Sequence, residues 1–305
     1  MTYEEKLDRF TEHIDDGGKV ETEDWMPDDY RRGVLKFIEM HANSEIMGAL
    51  PERECLPSAP SLQRKMSLAA KIQDEVGHSQ LLYRVAEDLG KSRDAMYSDL
   101  VNGRSKFHNV FHYPVHHWGD VAIIGWLIDG AALVTQAALL DSSYAPYTRV
   151  LKRICAEEQL HLRHGEDITL ELASGTERQR WMFQDALNRW WPPIIHFFGP
   201  KSNVARDLLL RWKVKTRTNE DLRAEFLDRY VPKVLELGFD LPTPVPYLDG
   251  GHWLVRDEDI DWGPLEAVKK NAGPETARRL DWRRRMYEEH RWVREVLAEP
   301  AIHAA

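Results

Sequence analysis

The chain has 305 residues, a formal net charge of −9, 43% hydrophobic residues, eleven tryptophans and two cysteines. Acidity of this kind argues against a nucleic-acid-binding surface, and Cys55 and Cys155 are too few for a disulfide framework. Glu4 and Glu5 open the chain with no apolar run behind them, so no secretory signal is expected and a reducing, cytoplasmic setting fits.

In chain order, Thr2 followed by Glu5 reads as a capping box that starts a short helix over 2–14, ended by Asp15-Asp16-Gly17-Gly18. A long helix is expected over 27–50, with Pro51, Pro57 and Pro60 marking the turn into a second over 61–89. Segment 91–118 is polar and is expected to be irregular. Further helices are expected over 119–140, 147–173, 177–196, 203–213 and 219–237. Residues 241–264 are rich in Pro, Gly and Asp and lack periodicity, and Pro274 opens a last helix to about 297. No strand pattern is convincing. The expected fold is all-α: a ferritin-like four-helix bundle over 1–240, with additional C-terminal helices and an irregular extension over 241–305.

Two short stretches carry the chemistry. Asp74-Glu75-Val76-Gly77-His78 and Glu157-Glu158-Gln159-Leu160-His161 both read acid-Glu-x-x-His, and of thirteen histidines only His78 and His161 have a glutamate three residues before them. Residues three apart share a helix face, so each pair can offer a carboxylate and an imidazole to one ion. Di-metal sites in bundles take such a pair from two helices and one carboxylate from each of the other two. Glu45 lies thirty residues before Glu75 and Asp129 twenty-nine before Glu158, a spacing that fits half a helix down, a turn and half a helix back. Glu39 is a competitor for the place of Glu45, and the spacing favours Glu45.

Asp129 is the only charged residue between Val121 and Leu140. A helix apolar all round is a buried core helix or a membrane span. A carboxylate at the midpoint of a span would cost about 2.5–3.5 kcal/mol on insertion scales, and no cluster of basic anchors flanks the run, so the core reading is preferred. A buried Asp needs a partner, and a metal ion supplies one. Asp74 and Glu157 precede the ligand glutamates and are expected to orient the ligand imidazoles through their free N–H, although exposed helix acids would look the same. Four carboxylates with two imidazoles suit iron or manganese, and two such ions can share the electrons that O₂ reduction requires.

Other features compete for attention. Cys155 sits one turn before Glu158. His108 and His112 have i,i+4 spacing, but Pro114 follows and no carboxylate joins them. The basic run Arg278-Arg279 and Arg283-Arg284-Arg285 alternates with acids and reads as a solvated face or a subunit contact. Trp190-Trp191-Pro192-Pro193 reads as core. Three further classes stay open on the residues alone: a ferritin-type iron oxidase, a radical-generating ribonucleotide reductase subunit with Tyr83 as its tyrosine, and a non-catalytic helical scaffold subunit.

From Leu35 to His164 the chain closely resembles the catalytic A subunits of bacterial phenylacetyl-CoA epoxidases, through IEMHANSEIMGALPE, LAAKIQDEVGHSQLLY, GWLIDGAALVTQ and ICAEEQLHLRHG. The likeness extends over nearly the whole chain and includes an Asp in GWLIDGAA. It implies that Glu45, Glu75, His78, Asp129, Glu158 and His161 bind two iron ions (Fe). It implies epoxidation of the aromatic ring of phenylacetyl-CoA with O₂, using NADPH-derived electrons from a separate flavin and 2Fe-2S reductase. It also implies a structural C subunit lacking the ligands, a bridging B subunit, and a CoA groove with a basic mouth, for which Lys71 and Lys106 are the candidates. No nucleic acid or membrane partner is expected.

Overall fold

The computed structural model describes residues 1–298. Helix α1 (Tyr3–Asp15) begins at the capping box read from the sequence, with Thr2 and Glu5 each accepting from the other's backbone N–H. The bundle proper consists of α2 (Asp28–Cys55), α3 (Leu62–Glu87), α5 (Trp118–Leu139) and α6 (Ala145–Ala173). Short connections make α2–α3 and α5–α6 two antiparallel hairpins, as bundle topology requires. Ser61 caps α3 by accepting from Arg64 N at 3.1 Å.

The apolar run is the core helix. The most apolar stretch of α5 is 78% buried, enclosed by α6, by α7 (Glu177–Phe197) and by α9 (Asn219–Glu236). Trp126, Phe183, Trp190, Trp191, Phe226 and Tyr230 interlock there, all nearly inaccessible. Burying such rings removes about 150–250 Å² each from water, or about 4–6 kcal/mol of transfer free energy before entropy is counted. Within α5, residues Ile124–Ile128 form one π turn, a distortion that shifts every following side chain around the helix. Asp129 is the first residue after it. Beside the π turn, α5 and α6 cross backbone to backbone: a Cβ placed on Gly165 would meet Gly125 C at 2.0 Å.

Several expectations shift. The polar segment 91–118 contains α4 (Arg93–Val101), capped by Ser92 and anchored by Met96, Leu100 and Val101. Helix α2 continues through Pro51 to Cys55 rather than ending at Leu50, because surrounding packing outweighs the one backbone bond Pro51 cannot make. Of 203–213 only α8 (Leu208–Arg211) is helical. Residues 241–264 hold a hairpin, Tyr247–Asp249 with His252–Leu254, turned by Gly250 and Gly251 at φ 56° and 88°. Three-residue strands are too short for period two to register, and Gly-Gly was the usable signal. Beyond α10 (Gly263–Lys269), the last expected helix is two, α11 (Thr276–Glu289) and α12 (Arg291–Ala298). The basic run is only partly a solvated face, since buried Arg279 donates to Phe111 O at 2.8 Å and Arg283 donates to Ile46 O, fastening α11 to the bundle.

Candidate metal centre

The six residues picked out by spacing lie together in the bundle interior, all buried. Donor atoms of Glu45, Glu75, His78 and Glu158 fall within 4.8 Å of one another, as do those of Asp129, Glu158 and His161. Glu158 belongs to both groups. Its Oε1 stands 3.2 Å from His78 Nδ1 and its Oε2 3.1 Å from His161 Nδ1, so one carboxylate faces both halves of the site. Glu39 is elsewhere, paired with Lys91 at 2.7 Å.

The imidazoles are held from behind, across the helix pair. His78 on α3 donates from Nε2 to Glu157 Oε2 on α6 at 2.9 Å, and His161 on α6 donates from Nε2 to Asp74 Oδ2 on α3 at 3.1 Å. These bonds aim each ring's Nδ1 inward, where a neutral imidazole would offer its lone pair to a metal ion. His78 Nδ1 is buried and has no hydrogen-bond partner.

Without a cation the acids are in conflict. Burial, followed by the charges of Glu158 and Glu45, pushes Glu75 well above the usual carboxylate range. Burial opposes ionisation of Glu158 too, but the two imidazoles facing it, His161 and then His78, outweigh it and bring its pKa down to about 2. Burial lifts Asp129 to about 7 despite the opposing charge of Lys71. Packing such groups together unneutralised is costly. Four carboxylates balance the charge of two divalent ions, and an orphaned imidazole nitrogen supplies a vacant donor, so the residues fit a di-metal centre.

Lys71 corrects an expectation. It is 4% exposed rather than a surface cation, and its Nζ lies 2.5 Å from both Glu52 Oε1 and Asp129 Oδ2. Burial works to discharge it, but Asp129, Glu52, Glu75 and Glu158 prevail and hold the ammonium well above its ordinary range. Lys106 is exposed, donates to Lys269 O and does not line the cavity described next. His108 and His112 do not converge: His108 lines that cavity, whereas His112 stacks on Phe107 at 3.9 Å and bonds Thr276.

A cavity of about 260 Å³ reaches the centre, with Glu45, Glu75, Asp129 and Glu158 at its inner end. Phe37, Met40, Phe111, Ile128, Ala132, Leu139, Phe197 and Phe198 make its walls mostly apolar. Thr216 Oγ1 donates to Ala138 O, which puts Lys215, Thr216 and Arg217 beside the C-terminal half of α5 and makes them the cavity's basic end. Sequence reasoning missed these cations, and it also missed His41, Tyr147 and Glu52. His41 bonds Glu45 Oε1 at 2.8 Å and the buried Tyr147 hydroxyl at 2.7 Å. The available signal was helical spacing: His41 is four residues before Glu45, Glu52 seven after it, and Lys71 four before Glu75.

The profile of the phenylacetic acid catabolic protein family matches residues 3–292. The chain is 44% identical over 302 residues to the A subunit of 1,2-phenylacetyl-CoA epoxidase from Escherichia coli (strain K12), covering 97% of this chain and 96% of that relative.

Proposed function

The chain belongs to the phenylacetic acid catabolic protein family, and from that premise we propose that it is the catalytic component of a phenylacetyl-CoA epoxidase, an O₂-dependent monooxygenase in phenylacetate degradation. The observation that carries the reading is a complete six-residue donor set at the inner end of an apolar cavity, in a chain alike over nearly its full length to the A subunit of the E. coli enzyme. Glu45, Glu75, His78, Asp129, Glu158 and His161 would hold two iron ions. Bound there, the iron pair would supply the electron storage needed to activate O₂ and deliver one oxygen atom.

The protein's own part is placement and exclusion. The aromatic and aliphatic wall accepts a phenyl ring against the carboxylate end and keeps bulk water away from the reacting carbon. Asp74 and Glu157 fix the imidazoles, and His41 fixes Glu45. Lys215 and Arg217, paired with Asp207 and Glu225 in this structure, line the cavity where Lys71 and Lys106 do not, and they are the cations we assign to the anionic part of a CoA thioester. The relative is one of several subunits by its name, which supports assembly with other chains. The proposal includes a reductase that passes on NADPH electrons, together with structural and bridging subunits. A ferritin-type oxidase would leave the apolar cavity without a purpose.

The test combines the purified chain, partner subunits, anaerobically loaded Fe(II), reductase and NADPH with a panel of aryl-CoA thioesters. Oxygenated product from phenylacetyl-CoA, with about two iron atoms per chain as the bundle donor set dictates, is the expected result. Iron retention well below one atom per chain, or no oxygenation of any thioester, would refute it.

A further inference from the structure

Polar atoms that are buried without a partner are rare in native proteins, and each calls for an explanation. Leaving aside the metal-binding groups, the hydrogen-bonding side chains along the cavity are nearly all satisfied. Ser44 Oγ donates to Met40 O and accepts from His108 N. His41, Tyr147 and Gln136 bond one another or Glu45. Among the described residues lining the cavity, two buried atoms outside the metal-binding set stand alone: Thr135 Oγ1 and His108 Nδ1.

Both orphans have a definite chemical sense. A threonine inside a helix normally bonds its hydroxyl back to the carbonyl four residues earlier, and Thr135 does not, so its O–H is a free donor. His108 donates from Nε2 to Phe197 O at 3.2 Å, which leaves Nδ1 as a lone-pair acceptor. Burial keeps this ring neutral, pushing its pKa down to about 3. The cavity therefore offers one unused donor and one unused acceptor along its wall.

A thioester of pantetheine has the complementary pair in the same stretch: a carbonyl oxygen that accepts, and a short thioethylamine arm ending in an amide N–H that donates. Thr135 lies six residues beyond Asp129, about 9 Å along the helix axis at 1.5 Å per residue. An acyl carbonyl one methylene from a ring lodged against the carboxylates falls at about that depth. We propose that Thr135 Oγ1 donates to the thioester carbonyl oxygen and that His108 Nδ1 accepts the pantetheine amide N–H, together fixing how deeply the acyl group enters. This rests on the acyl-CoA reading above and adds the residues that measure the acyl arm.

Binding to the metal-free full chain with its partner chains, measured anaerobically by calorimetry, tests this without turnover. The probes are phenylacetyl-CoA, the thioether in which a methylene replaces the carbonyl, and the S-ethyl thioester of phenylacetic acid, which keeps the carbonyl but lacks the amide. The unmodified protein should bind phenylacetyl-CoA about five- to tenfold more tightly than the thioether, the usual worth of one hydrogen bond in a buried site. Thr135→Val should abolish that preference and Thr135→Ser should keep it. His108→Phe should weaken both CoA ligands about equally and leave the S-ethyl thioester unaffected. A Thr135→Val protein that still prefers the thioester, or an unmodified protein that never does, overturns the assignment of Thr135. Equal losses for all three probes in His108→Phe overturn that of His108. Failure of the unmodified protein to bind any CoA ligand would instead bring down the acyl-CoA reading itself, and this one with it.

Discussion

Replacing Gly165 with alanine adds one methyl group at the place where α5 and α6 touch. That Cβ would sit 2.0 Å from Gly125 C, 2.3 Å from Gly125 O and 2.4 Å from Trp126 N. All three are backbone atoms and none can swing aside. Real Cβ contacts stay beyond 3.0 Å, so the helices must part by about 1 Å. Overpacking of this kind costs about 1–3 kcal/mol or somewhat more, against about 1 kcal/mol regained from the better helix propensity of Ala. A net loss of about 2 kcal/mol, at the upper end of that range, should lower Tm by about 3 °C in a chain this large. The displacement has a second effect, because Gly165 is one turn beyond His161 while Gly125 is one turn before Asp129. Parting the crossing separates donors that must lie within a few ångströms, so iron retention should fall at least tenfold. Gly77→Ala is the control: its Cβ meets nothing within 4 Å, and the protein should gain up to about 1 kcal/mol. Thermal unfolding and iron content of the two variants decide the matter. A Gly165→Ala protein with unchanged Tm and full iron would refute the idea that this backbone contact sets the site.

Removing the Lys71 charge in Lys71→Met strands Glu52 and Asp129 in the interior, and breaking a buried ion group from one side costs about 3–5 kcal/mol; denaturant unfolding should show it, with part recovered in Lys71→Met/Glu52→Leu. Asp74→Asn and Glu157→Gln each weaken the hold on one imidazole and should lower iron affinity about 10–100-fold, read by chelator competition, with little change in Tm. Burial pushes His112 down to about 4 from an unfolded value near 6.5, so below pH 6.5 the unfolded chain takes up a proton that the folded chain refuses. That contribution is complete above pH 6.5 and is lost as pH falls toward 4, by about 2 kcal/mol at pH 5. His112→Gln should flatten the acid side of the stability profile, and an unchanged slope would contradict the assignment.

The clustering of the six side chains was legible because its signal is one-dimensional. Glu75/His78 and Glu158/His161 need only helical spacing, and Asp129 stands out as a lone charge in an apolar run. Lys71 misled for the opposite reason. Its place on α3, four residues before Glu75, fixes the face it occupies but not what lies across from it, and the opposing groups are Glu52 on α2 and Asp129 on α5. A lysine beside acids in sequence reads as a surface cation, and burial among three helices reverses that meaning. Lys215 and Arg217 were invisible for a related reason: they lie in the loop before α9, and only tertiary packing sets that loop against the end of α5. Helix α4 and the hairpin escaped through shortness, since nine residues and two strands of three give periodicity little to act on.

The duplicated acid-Glu-x-x-His pattern carries more than ligands. In each copy the glutamate and histidine face inward, while the preceding acid lies about 100° around the helix and cannot reach its own histidine's Nε2. It reaches the other copy's instead, Asp74 to His161 and Glu157 to His78. Each motif is therefore completed only by its partner, and each helix position is checked by two hydrogen bonds running in opposite directions across the α3–α6 pair. A slide of α3 along α6 would lengthen both bonds together and turn both Nδ1 atoms off the site at once. Glu158, with one oxygen toward each ring, adds a third tie at the same level. The two halves would thus load or fail as one unit, as the proposed reaction at two metal ions requires.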